Sequence, residues 1–422
     1  MTRALRHRNF RLFIIGQGLT LIGTWVQSLA QSWLVYRLSE SPVMLGAVSF
    51  ASLIPYLVLA PVAGVVCDRV NRRKLILWMR FLAMIQAALL AVLTLTGTVQ
   101  VWHVFYLALA LGVIGVFEMT ARQSFLVEMV GKEDLMNGIA LNSSVYNSGR
   151  IVGPAIAGLM VAAVGEGWCF AVNSVSFLAV IISLLMMRLP PAPPPAEMVS
   201  PLEHFREGWT FVKSHAPSRA LLLLLGLTSV MNYPYLVLMP VFADMVLQGG
   251  PEALGLLMSA NGTGAILGSI YMATRIGLTG LSRTITGMTI LYGAALVLFA
   301  LSPNLYLSML LLLPVGFGMM VAVAATNTTL QTLSPDPLRG RVLGFYGMMF
   351  VGMTPIGALL AGWAADRIGA PLTVIAGAVF CIAGALLFNR KRPVIRAALR
   401  EFMDHQAEGI NVPVPALVKE KR

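Results

Sequence analysis

Charge is scarce in this sequence. Only 11% of its 422 residues are Asp, Glu, Lys or Arg, while 57% are hydrophobic. A water-soluble domain covers itself with roughly a quarter charged residues, so a soluble globule of this length is excluded. Cysteine is scarce too. Cys67, Cys169 and Cys381 lie far apart with no C-x-x-C, so neither a disulfide framework nor a metal site is expected. They read as small apolar fillers. The five histidines are scattered, and there is no G-x-S-x-G and no H-E-x-x-H. An enzyme is therefore not expected.

What the sequence has is long apolar runs, and its mean hydropathy is +0.79. Twelve runs reach about the 20 residues that cross a bilayer core. They cover approximately 10–36, 43–66, 75–97, 101–121, 137–164, 168–187, 219–246, 253–274, 284–301, 305–326, 341–365 and 371–389. The first follows a basic MTRALRHRNFR, but it is too long for a cleavable signal and lacks an A-x-A ending.

Acid is scarcer than base: 18 acidic residues stand against 30 basic ones, a net charge of +12. Placed on twelve spans, only Arg37 and Arg367 fall at outer ends, and Arg150 falls inside a span. The remaining basic residues lie in cytoplasmic loops or at cytoplasmic span ends. That is the positive-inside pattern, and it puts both termini in the cytoplasm. The basic excess is then topology and attraction to lipid, not a nucleic-acid surface.

The longest break, 189–218, holds the proline-rich run 190–195, which cannot be helical. An amphipathic helix follows from Pro201 to Lys213, with Leu202, Phe205, Trp209 and Val212 on one face. The break divides the chain into a six-span bundle (1–188), a cytoplasmic linker, a second six-span bundle (219–390) and a cytoplasmic tail (391–422). The halves resemble each other faintly. GRIVGPAIAG carries Gly153, Pro154 and Gly158; FVGMTPIGALLAG carries Gly352, Pro355 and Gly357. Each follows a loop with acidic and turn residues, the second of which contains Arg339 and Arg341. Close helix packing explains any one Gly/Pro pair. Matched positions in two halves point to an internal repeat, the layout of a secondary transporter with its site between the halves.

Between spans 2 and 3 stands GVVCDRVNRRK, residues 64–74. It resembles motif A of the major facilitator superfamily through Gly64, Asp68, Arg69, Arg72 and Arg73. Asn71 replaces a second glycine, a mild departure because Asn tolerates positive φ. The stretch 121–158, FREGWTFV and LRGRVLGFYG resemble the branch that holds enterobactin exporters and macrolide-efflux proteins. The resemblance covers residues 8–390. It implies an all-α fold of twelve transmembrane helices in two pseudo-symmetric six-helix bundles. It also implies that Asp68 latches the halves at the inner face, and that Arg72 or Arg73 reaches an acid near the inner end of span 4. Glu118 is well placed for that contact.

An intramembrane charge is a functional candidate by default. Arg150 lies near the midplane, where it either contacts an anionic or polar substrate or ties the N-terminal half together. Glu118 is either the latch partner or the group that binds and releases the driving proton. Asp244, at the outer end of span 7, is a second carrier candidate. Span 1 bears no charge but has a polar stripe, Gln17, Thr20, Thr24, Gln27 and Gln31, at helical spacing. The superfamily places span 1 on the central cavity, and a water-filled cavity satisfies such a stripe; hydrogen bonding between helices is the alternative. Asn142, Asn147, Asn232, Tyr233, Tyr235 and Asn327 are further lining candidates. Tyr233-Pro234-Tyr235 either breaks span 7 or places rings on the ligand.

Together these features suggest an inner-membrane exporter that works as a monomer without a cofactor and is driven by protons. Its substrate would be a bulky amphiphilic small molecule such as a siderophore. A multidrug or macrolide pump is the alternative of the same class; a non-transporting sensor or scaffold is the alternative of another.

Overall fold

A computed structural model describes residues 3–131, 133–188, 201–231, 233–275 and 277–407. Those residues are almost wholly helical, with no strand among them. Eleven helices are long and apolar enough to cross a membrane, and a bent pair makes a twelfth span. Hydrocarbon leaves no other choice, because a helix satisfies its backbone polar groups within itself.

The N-terminal half contains span 1 (Arg8–Ser39), span 2 (Pro42–Val58 and Ala60–Arg69), span 3 (Arg72–Leu95), span 4 (Val101–Val130), span 5 (Leu135–Val164) and span 6 (Glu166–Met186). The two parts of span 2 meet at 53°. Pro55 and Pro61 flank the break; each lacks the N–H that would continue the ladder. In the C-terminal half, span 7 starts at Ala216–Met231. It breaks at a 3-10 turn, Tyr233–Leu236, and ends in a π turn, Phe242–Val246. The expected break at Tyr233-Pro234-Tyr235 is therefore present. Span 8 (Gly250–Thr274), span 9 (Leu281–Ala300) and span 10 (Leu305–Leu333) follow. Span 11 runs Asp336–Gly347, a π turn and Thr354–Ile368, and span 12 is Ala370–Ala407. The first and last described residues lie on one face of the bundle, the terminal face; the opposite one is the far face. At the far face Arg37 donates to Glu166 Oε1 at 2.8 Å and Oε2 at 3.2 Å.

Two pairs of glycines join the halves near the far face. A Cβ on Gly158 of span 5 would lie 2.9 Å from Gly255 Cα of span 8. A Cβ on Gly46 of span 2 would lie 3.2 Å from Gly362 Cα of span 11. Without hydrophobic drive between helices in lipid, such backbone contact supplies the packing. The same glycines establish the internal repeat and correct its register. Gly153 packs on Trp25 of span 1 and Gly158 on span 8. Gly357 packs on Val230 and Pro234 of span 7, and Gly362 on span 2. Gly153 thus corresponds to Gly357 and Gly158 to Gly362, each pair five residues apart. Matching Pro154 with Pro355 set the two segments out of step, because contacts with equivalent neighbours define the repeat.

The linker helix Pro201–Ser214 docks on the start of span 11. Arg341 pairs with Glu207, and the Trp209 and Phe345 rings lie 6.0 Å apart. Phe211 and Val212 are buried, whereas Trp209 is half exposed, so the docked face is rotated from the expected one. The side chains of 201–205 lie outside the described residues.

Leucine at Gly158 must push spans 5 and 8 apart, at a cost of about 1–3 kcal/mol to the far-side contact. Cysteines placed on the far-face ends of those spans should be labelled several times faster in Gly158→Leu than in the parent. Unchanged labelling would show that the glycine crossing does not hold this side closed.

Candidate functional site

The N-terminal half buries three charges. Glu118 Oε1 accepts from Arg80 Nη2 at 2.8 Å and lies 3.2 Å from Arg122 Nε. Arg122 is one helical turn from Glu118 on span 4; Arg80 comes from span 3. Arg80 Nη2 also donates to Gln17 Oε1 at 3.1 Å, and Gln17 Nε2 donates to the Tyr146 hydroxyl at 2.9 Å. The Arg122 guanidinium stands 4.7 Å from the Tyr146 ring centroid, and that of Arg80 stands 5.7 Å from Phe177. Two guanidiniums face one carboxylate, leaving one positive charge in excess. Arg80 Nε is buried with no hydrogen-bond acceptor, and Arg122 Nε pairs with the carboxylate by charge without a well-aimed hydrogen bond.

This corrects the expected partner of Glu118. Span 4 continues to Val130, nine residues past the predicted end. Glu118 therefore sits about 18 Å along the helix from its terminal-face end. The acid that Arg72 reaches is Glu128, at 2.6 Å. Arg73 donates to the Leu184 and Leu185 carbonyls at 2.8 and 3.0 Å, capping the end of span 6. Asn71 needs no positive φ. It has φ −63° and caps span 3 by accepting from the Lys74 N–H. Gly64 has open space around it. Arg69 is exposed, and the Asp68 side chain lies outside the described residues.

Arg80 and Arg122 were assigned to span ends by the topology count, and the structure moves both into the bundle. The signals were present in the sequence. Arg80 follows the apolar run Leu75–Met79, and Arg122 stands at i+4 from Glu118.

A central cavity with about 1390 Å³ of space lies between the halves. Trp25, Ser28, Gln31 and Arg150 line it from the N-terminal half, and Met258, Asn261 and Thr354 from the C-terminal half. Arg150 is its one charged lining residue among those described. Pro154 also lines it, while Pro355 is buried at the start of the helix that continues span 11.

The polar stripe of span 1 does not act as a unit. Gln17, Thr20 and Gln27 are buried against other helices. Thr20 donates to the Ser176 carbonyl at 2.8 Å. Gln27 donates to Gln86 Oε1 at 3.0 Å and accepts from Asn173 Nδ2 at 2.6 Å. Thr24 is exposed and bonds back to the Thr20 carbonyl. Only Gln31 of the five lines the cavity. The cavity-facing stripe is Trp25, Ser28, Ser32 and Val35, rotated by roughly a quarter turn at 100° per residue.

The other candidates scatter. Tyr235 is buried within its own half and accepts from Asn261 Nδ2 at 2.6 Å. Asn142 Oδ1 is buried without a donor. Asn327 accepts from Gln331 one turn on. Asp244 is exposed in the π turn. Asn232 and the side chains of Asn147 and Tyr233 lie outside the described residues. Arg339 Nε donates to the Gln331 carbonyl at 3.3 Å.

A second, mostly apolar cavity with about 1440 Å³ of space separates spans 2 and 4 from span 11 toward the terminal face. Tyr56, Pro61, Met119 and Gln123 form one wall, and Arg341, Phe345 and Met348 the other. On this side the halves are joined at the far face and parted at the terminal face.

Two six-span bundles around a shared cavity define a secondary transporter of the major facilitator type, and such proteins are transporters, not enzymes. The chain belongs to the transmembrane secretion effector family, whose model matches residues 2–417. It is 30% identical to the multidrug efflux pump Tap of Mycolicibacterium fortuitum, over 86% of this chain and 88% of that one. It is 26% identical to the staphyloferrin A transporter of Staphylococcus aureus, over 90% and 96%. It is 28% identical to the enterobactin exporter EntS of Shigella boydii, over 92% and 90%. Among solved structures, the nucleoside transporter NupG superposes with a TM-score of 0.73 at 13% identity, over 91% and 99% of the chains. A bacterial homologue of the lysosomal transporter Spinster gives 0.69 at 15%, over 97% and 99%. At those identities the structures support the fold.

Removing one member of a buried ion pair strands the other and costs about 3–5 kcal/mol. Glu118→Gln strands two guanidiniums and should lower the unfolding temperature in detergent more than Arg80→Gln, which leaves Arg122 to pair. The double variant Arg80→Gln/Glu118→Gln should be more stable than the sum of the single losses. Additive losses would show that the pair is not coupled.

Proposed function

We propose that the chain exports a bulky amphiphile, a siderophore such as enterobactin, across the bacterial inner membrane by alternating access against an inward flow of protons. The observation that carries this reading is the central cavity. It is formed by both halves, rich in apolar and hydroxyl groups, and has Arg150 as its charged lining residue. A single cation on the wall favours a ligand with an acidic or catecholate group. The mostly apolar wall favours a large ring-bearing body over a sugar or an inorganic ion.

The relatives support the direction, since one is named an enterobactin exporter and another a multidrug efflux pump. The basic loops support a cytoplasmic terminal face. The protein acts as a monomer without a bound cofactor, and the proton gradient supplies the energy. Glu118 is the carrier. When an arginine moves away, the carboxylate takes a proton in place of its counter-ion, so protonation and helix movement are coupled. Asp68 holds the terminal face closed in the alternate conformation. A second reading, efflux of lipophilic drugs, is favoured by the apolar cavity between spans 2, 4 and 11.

Inside-out vesicles test the proposal. A catecholate siderophore should accumulate, an uncoupler should abolish the accumulation, and a macrolide should not enter. Arg150→Gln should cut siderophore uptake by about tenfold or more, the worth of one charge-assisted contact. Accumulation of the macrolide alone would favour the second reading, and siderophore uptake insensitive to the uncoupler would remove proton coupling.

A further inference from the structure

Spans 9 and 12 leave a basic cleft at the terminal face that the transport cycle does not use. Leu278, Thr279, Gly280, Ser282 and Arg283 form one side, and Arg392, Arg396 and Leu399 the other, around about 710 Å³ of space. A neighbouring cavity of about 640 Å³ shares Arg392 and Arg396 and adds Asn389 and Pro393. Among the described residues no ion pair joins an acid to Arg283, Arg392 or Arg396. Arg392 Nη1 donates to Asn389 Oδ1 at 3.1 Å, which leaves the other nitrogens of that guanidinium and the Asn389 amide to face a ligand.

The cleft is a built feature. Arg275 ties its loop down, donating to Thr284 Oγ1 at 2.6 Å and to the Thr279 carbonyl at 2.5 Å. Gly280, at φ 80°, turns the chain into span 9, and the Leu281, Arg283 and Thr284 N–H groups donate to the Leu278 and Gly280 carbonyls, which fixes the turn. Leu399 is 4% exposed and fixes the span 12 wall.

Depth decides what can reach this cleft. Span 12 begins at the far face at Ala370, so Arg392 lies about 33 Å along the helix, just beyond a hydrocarbon core of about 30 Å. That is the headgroup layer. Toward the membrane centre, Leu386, two turns before Pro393 on the same side of span 12, is 54% exposed and gives an acyl chain a surface to lie on. Guanidiniums without an acid partner among the described residues, at headgroup depth beside a lipid-facing leucine, match a phosphodiester that carries acyl chains.

We infer that the cleft between spans 9 and 12 is a binding site for an anionic phospholipid. Arg283, Arg392 and Arg396 hold its phosphate, and Leu386 guides a chain. Lipid bound there bridges the start of span 9 and the end of span 12, and steadies the extension of span 12 beyond the membrane.

The test uses the full chain in neutral detergent, with retained lipid counted by native mass spectrometry. The parent protein should keep phosphatidylglycerol in preference to phosphatidylcholine. Each arginine near an anionic headgroup is worth about fivefold, so Arg392→Gln/Arg396→Gln should lower phosphatidylglycerol retention by about 25-fold and Arg283→Gln by about fivefold. A matched control, Arg390→Gln/Lys391→Gln, removes the same charge outside the cavity walls and should change retention little. An equal fall in the control would overturn the site in favour of diffuse attraction. Unchanged retention in the monodisperse double variant would overturn it too. Displacement of the lipid by inorganic phosphate in millimolar excess would assign the cleft to a soluble anion instead.

Discussion

A polar group left without a partner in hydrocarbon is expensive, and this cost organises the whole molecule. It forces the backbone into helices. It also brings Gln27, Gln86 and Asn173 into contact, because each buried amide needs a partner. The charge cluster is the extreme case. Glu118 is held by Arg80 and Arg122, and the surplus charge is shared with Gln17 and the aromatic rings. The N-terminal half is thus tied across spans 1, 3, 4 and 5 by polar contacts. Described spans of the C-terminal half contain no comparable buried ion pair.

The halves meet by a different means. At the far face they share one apolar core, with Tyr36 of span 1 hydrogen-bonded to Asp244 of span 7, and meet backbone against backbone at Gly46–Gly362 and Gly158–Gly255. Such contacts are held by dispersion and close fit, which fall away quickly with distance. Rigid halves joined by a shallow, geometry-dependent contact suit movement of one half against the other. The cavity toward the terminal face and the break in span 2 at Pro55 and Pro61 lie along the same seam.

Much of this architecture was legible in the residues. Apolar run length located the spans, the proline-rich break separated the halves, and GVVCDRVNRRK pointed to the superfamily. Tyr233-Pro234-Tyr235 offered a break in span 7 or rings on the ligand, and the missing proline N–H gives the break that is present. Depth marked Arg150 as a midplane charge that either contacts substrate or ties its half together, and the tertiary structure puts it on the cavity wall. The partners of the charges were less legible. Extending span 4 by nine residues moved Glu118 away from Arg72 and brought Glu128 to it, since each residue of helix shifts depth by 1.5 Å. Arg80 and Arg122 looked like topological charges because a count of basic residues by loop does not register an arginine that a neighbouring helix can neutralise.

Sequence alone determined the class of this protein, its spans and its two-fold plan. These depend on hydropathy, proline and glycine, which act locally and leave a linear record. Tertiary structure decided which face of span 1 meets the cavity, which acid each arginine holds, and how the repeat is registered. A helix face is defined only by its neighbours. A rotation of about a quarter turn separates the buried amides of Gln17 and Gln27 from the cavity-facing Trp25 and Ser28, and only the packing of spans 3, 5 and 6 sets that angle.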